Sequence, residues 1–495
     1  MNKIITFMKT IIIALAIVIS GLQAWAGGPA ASVPVTGTLP VVYVNTKDNA
    51  PVVNKDDEIE ATIYIDPCGA DDVEPFGSAE NPVAFTLSGR GNSSWTDFDK
   101  KPYKIKFGKK QTPLGFPAHK TFALLAHAPA PSYMSCEASA EIARLFDIGW
   151  VPRTHPVELV LNGVNLGTYA FSETVKIAKG RLDIAEQPDN NTDPATIADG
   201  WLIEIDNYDD TPQIKVFQNE TCTPSDEYWP RSFTIKTPEE LSPLQEEWIT
   251  DQLRDITMEV HSDPADDTWM RHFDIPRLAR YYLVQELSCN YDAFVGSTYF
   301  YYTADAGKWM AGPLWDSEWT FGEWEMPVRF GHFWEERNYY IPVDSHPENK
   351  RPVWIDRMFE HPTFRNAVLK EWRKFYPDKM DGLMGFVADF YNKVKESYRT
   401  NALIWPQYSM FSVDSRYEVL MTKLPIFAKW LDGYLHVSLT GIGGPEADTV
   451  EISYPVDVYN ASGMKVRRVL SADELHSLPA GLYIAAGKKF LIGAK

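Results

Sequence analysis

Two acidic segments hold the residues best suited to chemistry. The first, Gln285-Glu286-Leu287-Ser288-Cys289-Asn290-Tyr291-Asp292, ends a helical pattern in polar residues and runs directly into the strand-like stretch Ser297 to Tyr302, which puts Asp292 in a tight turn. Such a turn exposes a carboxylate, as a general base requires. The second, Gly312-Pro313-Leu314-Trp315-Asp316-Ser317-Glu318-Trp319-Thr320-Phe321-Gly322, sets Asp316 and Glu318 among aromatic walls. Carboxylates in that setting suit a hard cation such as magnesium, which takes oxygen ligands. Upstream, Gly89-Arg90-Gly91-Asn92-Ser93-Ser94 lies between two strand-like runs, and its glycines let backbone N–H groups approach phosphate oxygens. Lys104 and Lys106 stand two apart in one strand and share a face, while Tyr103, Ile105 and Phe107 take the other, so either ammonium can be presented to phosphates from a rigid element. Glu137 or Glu141 on the next helix is spaced to hold that lysine by an ion pair; spacing leaves both open, and we assign Glu141 to the nucleotide site. A glycine-rich turn, a strand lysine, a helix glutamate, then Asp292 and Asp316 is the order of parts that phosphoryl transfer uses.

The elements that must position these residues fall into two kinds. Alternating Val, Ile and Thr from Leu39 to Ile65, then Val83 to Leu87 and Tyr103 to Phe107, predict a small mixed sheet. Met134 to Phe146 has helical periodicity with Ser132 as its N-cap, and Val157 to Leu161 pairs with Gly167 to Phe171 across the Asn162-Gly163 hairpin signal. Ser172-Glu173-Thr174-Val175-Lys176 follows, at the place where an interlobe hinge would meet an adenine edge, and Glu173 is assigned there. Glu204 and Asp206 share a strand face in Trp201 to Asp206, as structural acceptors or as acids lining a site. From Glu239 the pattern becomes mostly helical: Ser242 to Val260, Ile275 to Cys289, Arg365 to Phe375 and Leu383 to Thr400. A sheet-rich part therefore precedes a helical one. Gly441 to Pro445 reads as a linker, and the short strands and turns after it as a small β-domain over residues 450–495.

Bulk properties exclude several function classes. A chain of 495 residues is too long for one core, and its 16 Trp, 24 Tyr and 25 Phe supply large packed surfaces or grooves. The formal charge of -20 repels phosphate backbones and argues against a nucleic-acid partner, the basic run Lys100, Lys101, Lys104, Lys106, Lys109, Lys110 being the clearest local exception. Lys3, Lys9, the apolar Ile11 to Ile19 and Ala24-Trp25-Ala26 predict a secretory signal peptide over residues 1–26, and no other window is apolar enough to span a bilayer. Cys68, Cys136, Cys222 and Cys289 allow three pairings or none, and no Cys-x-x-Cys, His-Glu-x-x-His, Gly-x-Ser-x-Gly or Walker-type loop occurs.

Arg90-Gly91-Asn92-Ser93-Ser94-Trp95, Lys100-Lys101-Pro102-Tyr103-Lys104-Ile105-Lys106, Leu161-Asn162-Gly163 with Gly167-Thr168-Tyr169, Glu173, and Gly312-Pro313-Leu314-Trp315-Asp316 stand in the order of the CotH kinase family's signatures, and the chain from about Leu39 to Tyr434 resembles that family. The resemblance implies an α+β, two-lobed protein-kinase-like fold, with a sheet-rich lobe over about 39–176 and a helical lobe over about 177–434. It implies ATP and Mg2+ as cofactors and a protein hydroxyl as acceptor. Asp292 would take the place of the catalytic aspartate and Asp316 that of the magnesium ligand, with Arg90, Lys104 and Lys106 facing ATP phosphates. Where kinases carry a metal-binding Asn, five residues past the catalytic Asp, this chain has Ser297, whose hydroxyl can hold a metal-bound water. The family's Trp-Asp-Phe-Asp reads Trp315-Asp316-Ser317-Glu318, which makes Glu318 the second acid, and an Arg-Asn pair reads Ser135-Cys136. The tail, Val450 to Lys495, is similar to C-terminal sorting domains of Bacteroidetes-type secreted proteins and implies export to the cell surface or beyond. The competing class is a non-catalytic surface, coat or adhesin protein that keeps the scaffold. A weaker third is glycan hydrolysis by two of Asp316, Glu318, Glu323 and Glu325 among Trp315, Trp319 and Trp324.

Overall fold

The structure, a computed structural model, describes residues 33–128, 132–206, 213–216, 231–290, 292–318, 320–321, 354–408 and 412–440, and then 455–460, 465–471, 474, 478, 481–485 and 488–492. The expected leader 1–26, the linker 441–445, Cys222, Trp319, Glu323, Trp324 and Glu325 lie outside these. The fold is mixed α+β, in two compact units, residues 1–432 and 433–495.

Strands β1 (Val41–Thr46), β2 (Ile59–Asp66), β3 (Val83–Gly89), β4 (Tyr103–Gln111), β5 (His119–Leu125), β6 (Thr154–Leu161) and β7 (Val164–Glu173) form a closed barrel in the order β1-β2-β3-β4-β5-β7-β6. The sequence pattern predicts a small mixed sheet and a separate hairpin; the structure joins them. Strand β5 bridges β4 to β7, and β1 closes the ring by pairing in parallel with β6. Alternation makes this possible. Every second residue points inward, so Val42, Ile63, Leu87, Ile105, Phe122, Leu159 and Phe171 share one core, and closure leaves no strand edge exposed. Trp405 joins that core and donates from Nε1 to the Leu166 carbonyl at 2.9 Å. Asn162 and Gly163, both at positive φ, turn β6 into β7 as the Asn-Gly signal predicts.

A second, antiparallel sheet contains β8 (Trp201–Asp206), β9 (Gln213–Val216), β10 (Arg231–Thr237), β11 (Thr298–Thr303) and β12 (Lys308–Ala311) in the order β12-β11-β8-β10-β9. The helices are the short α1 (Ser93–Thr96), α2 (Ser132–Leu145), α3 (Pro243–Val260), α4 (Ile275–Leu287), the short α5 (Ile355–Met358), α6 (Pro362–Phe375), α7 (Met380–Ile404) and α8 (Val413–Thr440). Local chemistry fixes their starts. Ser242 and Gln245 cap α3 reciprocally, and the Asp274 carboxylate accepts from Arg277 N at the start of α4. Turn chemistry then places Asp292 between α4 and β11: Val295 N and Gly296 N both donate to its carbonyl at 2.9 Å. In the second unit, β13 (Val456–Asn460), β14 (Lys465–Val469), β15 (Gly481–Ala485) and β16 (Lys488–Ile492) form a sheet in the order β14-β13-β15-β16 over Val458, Val469 and Tyr483.

Candidate functional site

The barrel rim, α2 and the segment after β12 enclose one cavity, and Arg90, Asp316 and Glu318 all line it. Arg90 follows β3, where its own N–H donates to the Pro102 carbonyl at 3.2 Å. Gly91 is needed beside it, because φ is +84° and a Cβ there would run into Ser94 Oγ. The Arg90 guanidinium lies 5.3 Å from the Trp315 ring, and its Nη1 is buried with no hydrogen-bond partner. Such an orphaned donor beside the cavity fits an anionic occupant.

Three carboxylates act on one another here. Asp316 sits at φ +56°, and Ser297 Oγ donates to its Oδ2 at 3.4 Å. Burial, then the charges of Glu318 and Asp292, push the Asp316 carboxyl up to about 8, against the pull of Arg90. Protein surrounds this carboxylate although its own surface is open to the cavity. Glu318 is held the other way: burial raises its pKa, but His127, Arg90 and Lys100 outweigh burial and leave it below its ordinary value. The shared proton therefore resides on Asp316 rather than on Glu318.

His127 carries no mark in the sequence pattern, and Lys100 and Glu137 stand there only within a basic run and as one of two helix glutamates. His127, at φ +42° just past β5, is buried, stacks on Tyr133 with ring centroids 5.0 Å apart, and places Nδ1 2.8 Å from Glu318 Oε1. Lys100 is 1% exposed, donates from Nζ to the Thr168 carbonyl at 2.5 Å and lies 4.6 Å from the Tyr169 ring. Burial pulls its pKa down to about 7, with Glu318 opposing. Between the two helix glutamates that spacing left open, Glu137 is the one that lines the cavity; Thr154 Oγ1 donates to it, and burial raises its pKa. The signal for Lys100 was its place just before the strand, where a side chain can turn inward beneath the rim. His127 carried no such signal.

The other expected residues stand elsewhere. Glu141 is outside the cavity and pairs with Arg144 at 3.2 Å. Lys104 and Lys106 occupy the outer face of β4, because Ile105 and Phe107 take the inner one; Lys106 Nζ is 2.7 Å from Glu58 Oε1 and neither lysine lines the cavity. Glu173 is fully buried at the end of β7, accepts from Arg153 N at 2.9 Å and lies 3.7 Å from Arg181 Nε, so its carboxylate serves as a structural ion-pair centre. Glu204 pairs with Lys236 at 3.1 Å.

Among the described residues, no group of three or more His, Cys, Asp or Glu is poised as a complete metal cage. Magnesium does not ask for one, since it keeps several waters and takes one or two carboxylates. Asp316, with Ser297 at hydrogen-bond range and the charges of Asp292 and Glu318 acting on it, fits that requirement, and a cation there would offset the burial and the repulsion that together raise the Asp316 pKa.

A guanidinium and interacting carboxylates around one cavity, at the rim of a closed barrel in a mixed α+β protein, define a polar site suited to a charged ligand. The chain belongs to the CotH kinase family: the family model described as CotH kinase protein matches residues 87–429, a span that contains the whole cavity. No curated protein matches the chain.

Proposed function

We propose that this protein is a secreted, CotH-like atypical kinase that transfers the γ-phosphoryl group of ATP to a protein hydroxyl. The observation that carries the reading is the meeting of Arg90, Asp316 and Glu318 in one cavity with Asp292 in electrostatic reach. Family membership supports it. Mg-ATP, when bound, supplies the activated phosphoryl group and neutralises developing charge. Asp316, with Ser297 and Glu318 beside it, holds the cation. Arg90 orients the phosphates through its unpartnered Nη1. Asp292 orients the acceptor hydroxyl and takes its proton. Lys100 and His127 keep Glu318 ionised at the cavity wall. Lys104, Lys106, Glu141 and Glu173 stand outside the cavity and have no part in this reading, whereas Ser297 and Asp292, also outside its lining, act on Asp316 by a hydrogen bond and by charge. The leader-like residues Lys3 to Ala26 support secretion, and the tail's likeness to sorting domains supports a place at the cell surface.

The second reading, a binding protein on a kinase scaffold, is favoured by Ser297 standing where kinases have Asn. Two measurements separate them. Incubation with labelled ATP, magnesium and a hydroxyl-rich test protein should give acceptor labelling that Asp316→Ala abolishes; labelling that survives removes Asp316 from the mechanism. Millimolar Mg-ATP should also raise Tm, since a ligand at a hundred times its Kd stabilises by about 2.7 kcal/mol. No shift and no labelling would leave the scaffold reading.

A further inference from the structure

Helix α2 presents Tyr133, Cys136, Glu137 and Ala140 to the cavity, a spacing of three and four residues that defines one helical face. Cys136 is partly exposed there, whereas Cys289 is buried. Its Sγ lies 3.9 Å from His127 Nδ1. His127 is 4% exposed, and its Nε2 has no hydrogen-bond partner. Together with the orphaned Nη1 of Arg90, this marks the space in front of Cys136 as built for a polar occupant.

We infer that Cys136 is a covalent control point of the cavity: its thiol exchanges with a low-molecular-weight disulfide, and the group it gains occupies the space beside Asp316 and Glu318. In the exchange the Cys136 sulfur attacks one sulfur of R–S–S–R, the R–S–S–R bond breaks, Cys136–S–S–R forms, and R–SH leaves with the thiol proton. No net oxidation occurs beyond that brought by the disulfide. That the adduct shuts off nucleotide binding rests on the kinase reading; the access of a disulfide to Cys136 does not.

The probe is cystamine on the whole native protein, with adducts located by peptide mapping. Cys68 is the internal reference, since burial and the Asp66 carboxylate push its thiol pKa up. Cys136 should form the adduct in the native protein, with reversal by dithiothreitol, and its rate is read against that of Cys68. Ala140→Trp, which fills the cavity from the next turn of α2, should slow Cys136 about tenfold and leave Cys68 unchanged, with Ala128→Phe in its place if that variant misfolds. Modified protein should lose its Mg-ATP thermal shift, and Cys136→Ser given the same treatment should keep it. The inference is overturned if Cys136 reacts only after denaturation, if the filled cavities react at the original rate, or if modified protein keeps the full shift. A chain with no Mg-ATP shift before treatment refutes the kinase reading instead, and the modification rates then decide this one alone.

Discussion

Replacing Lys100 with methionine should stabilise the protein near neutral pH and remove much of a pH dependence that the buried ammonium imposes. Lys100 is 1% exposed, and burial lowers its pKa from 10.5 to about 7. A lysine with a depressed folded-state pKa opposes folding fully below that pKa, and the opposition fades as pH rises towards the unfolded value. At about 1.4 kcal/mol per pH unit, the depression opposes folding by about 5 kcal/mol below pH 7 and by almost nothing above 10.5. Methionine keeps the length and apolar contact over Tyr169 but leaves the Thr168 carbonyl without its donor, a loss of about 1–3 kcal/mol. Lys100→Met should therefore gain about 2–4 kcal/mol at pH 6–7 and lose about 1–3 kcal/mol near pH 10.5. Denaturant unfolding across that range, followed by tryptophan fluorescence, measures the two stability curves. Curves that run parallel, or a variant destabilised at pH 6, would refute the claim that desolvation of this ammonium outweighs the contacts it makes.

Glu173→Ala should be among the most damaging single changes, costing about 3–5 kcal/mol in denaturant unfolding, because it strands the fully buried Arg181 and frees Arg153 N. Glu137→Ala should cost about 1–3 kcal/mol by leaving the part-buried Thr154 hydroxyl short of an acceptor, whereas Glu141→Ala, which loses only a helix-surface pair to Arg144, should stay within about 0.5 kcal/mol. Asp316 is raised towards about 8 by burial and then by the charges of Glu318 and Asp292, so its ionisation opposes folding increasingly from about pH 4 and fully above 8; Asp316→Asn should flatten the decline in Tm between pH 4 and 8 in metal-free buffer. Magnesium titration should raise the Tm of the parent protein and leave that of Asp316→Asn unmoved.

Much of this architecture could be read before any coordinates. The alternation in Val41–Thr46, Ile59–Asp66 and Tyr103–Phe107 marks strands because one face must be apolar to be buried, and Asn162-Gly163 marks a hairpin because both residues accept positive φ. Strand β5 carries no such mark, since Phe122-Ala123-Leu124-Leu125 is a continuous apolar run with no period. Arg90, Asp316 and Glu318 were legible as candidates because glycine and aromatic neighbours mark them out. Lys104 and Lys106 have the spacing of a phosphate-facing pair, yet the inward demand of Ile105 and Phe107 turns both away from the cavity.

The order of residues along the chain is therefore sufficient for local matters: which segments are strands or helices, where the turns fall, and which acids stand in polar, aromatic surroundings. Which distant groups meet is a property of the folded molecule. Closure of β1 onto β6, the choice of Lys100 over its neighbours as the buried ammonium, and the pairing of His127 with Glu318 all depend on contacts between segments far apart in sequence. Periodicity encodes the face a residue takes within its own element, whereas partners across the fold are set by how those faces pack against one another.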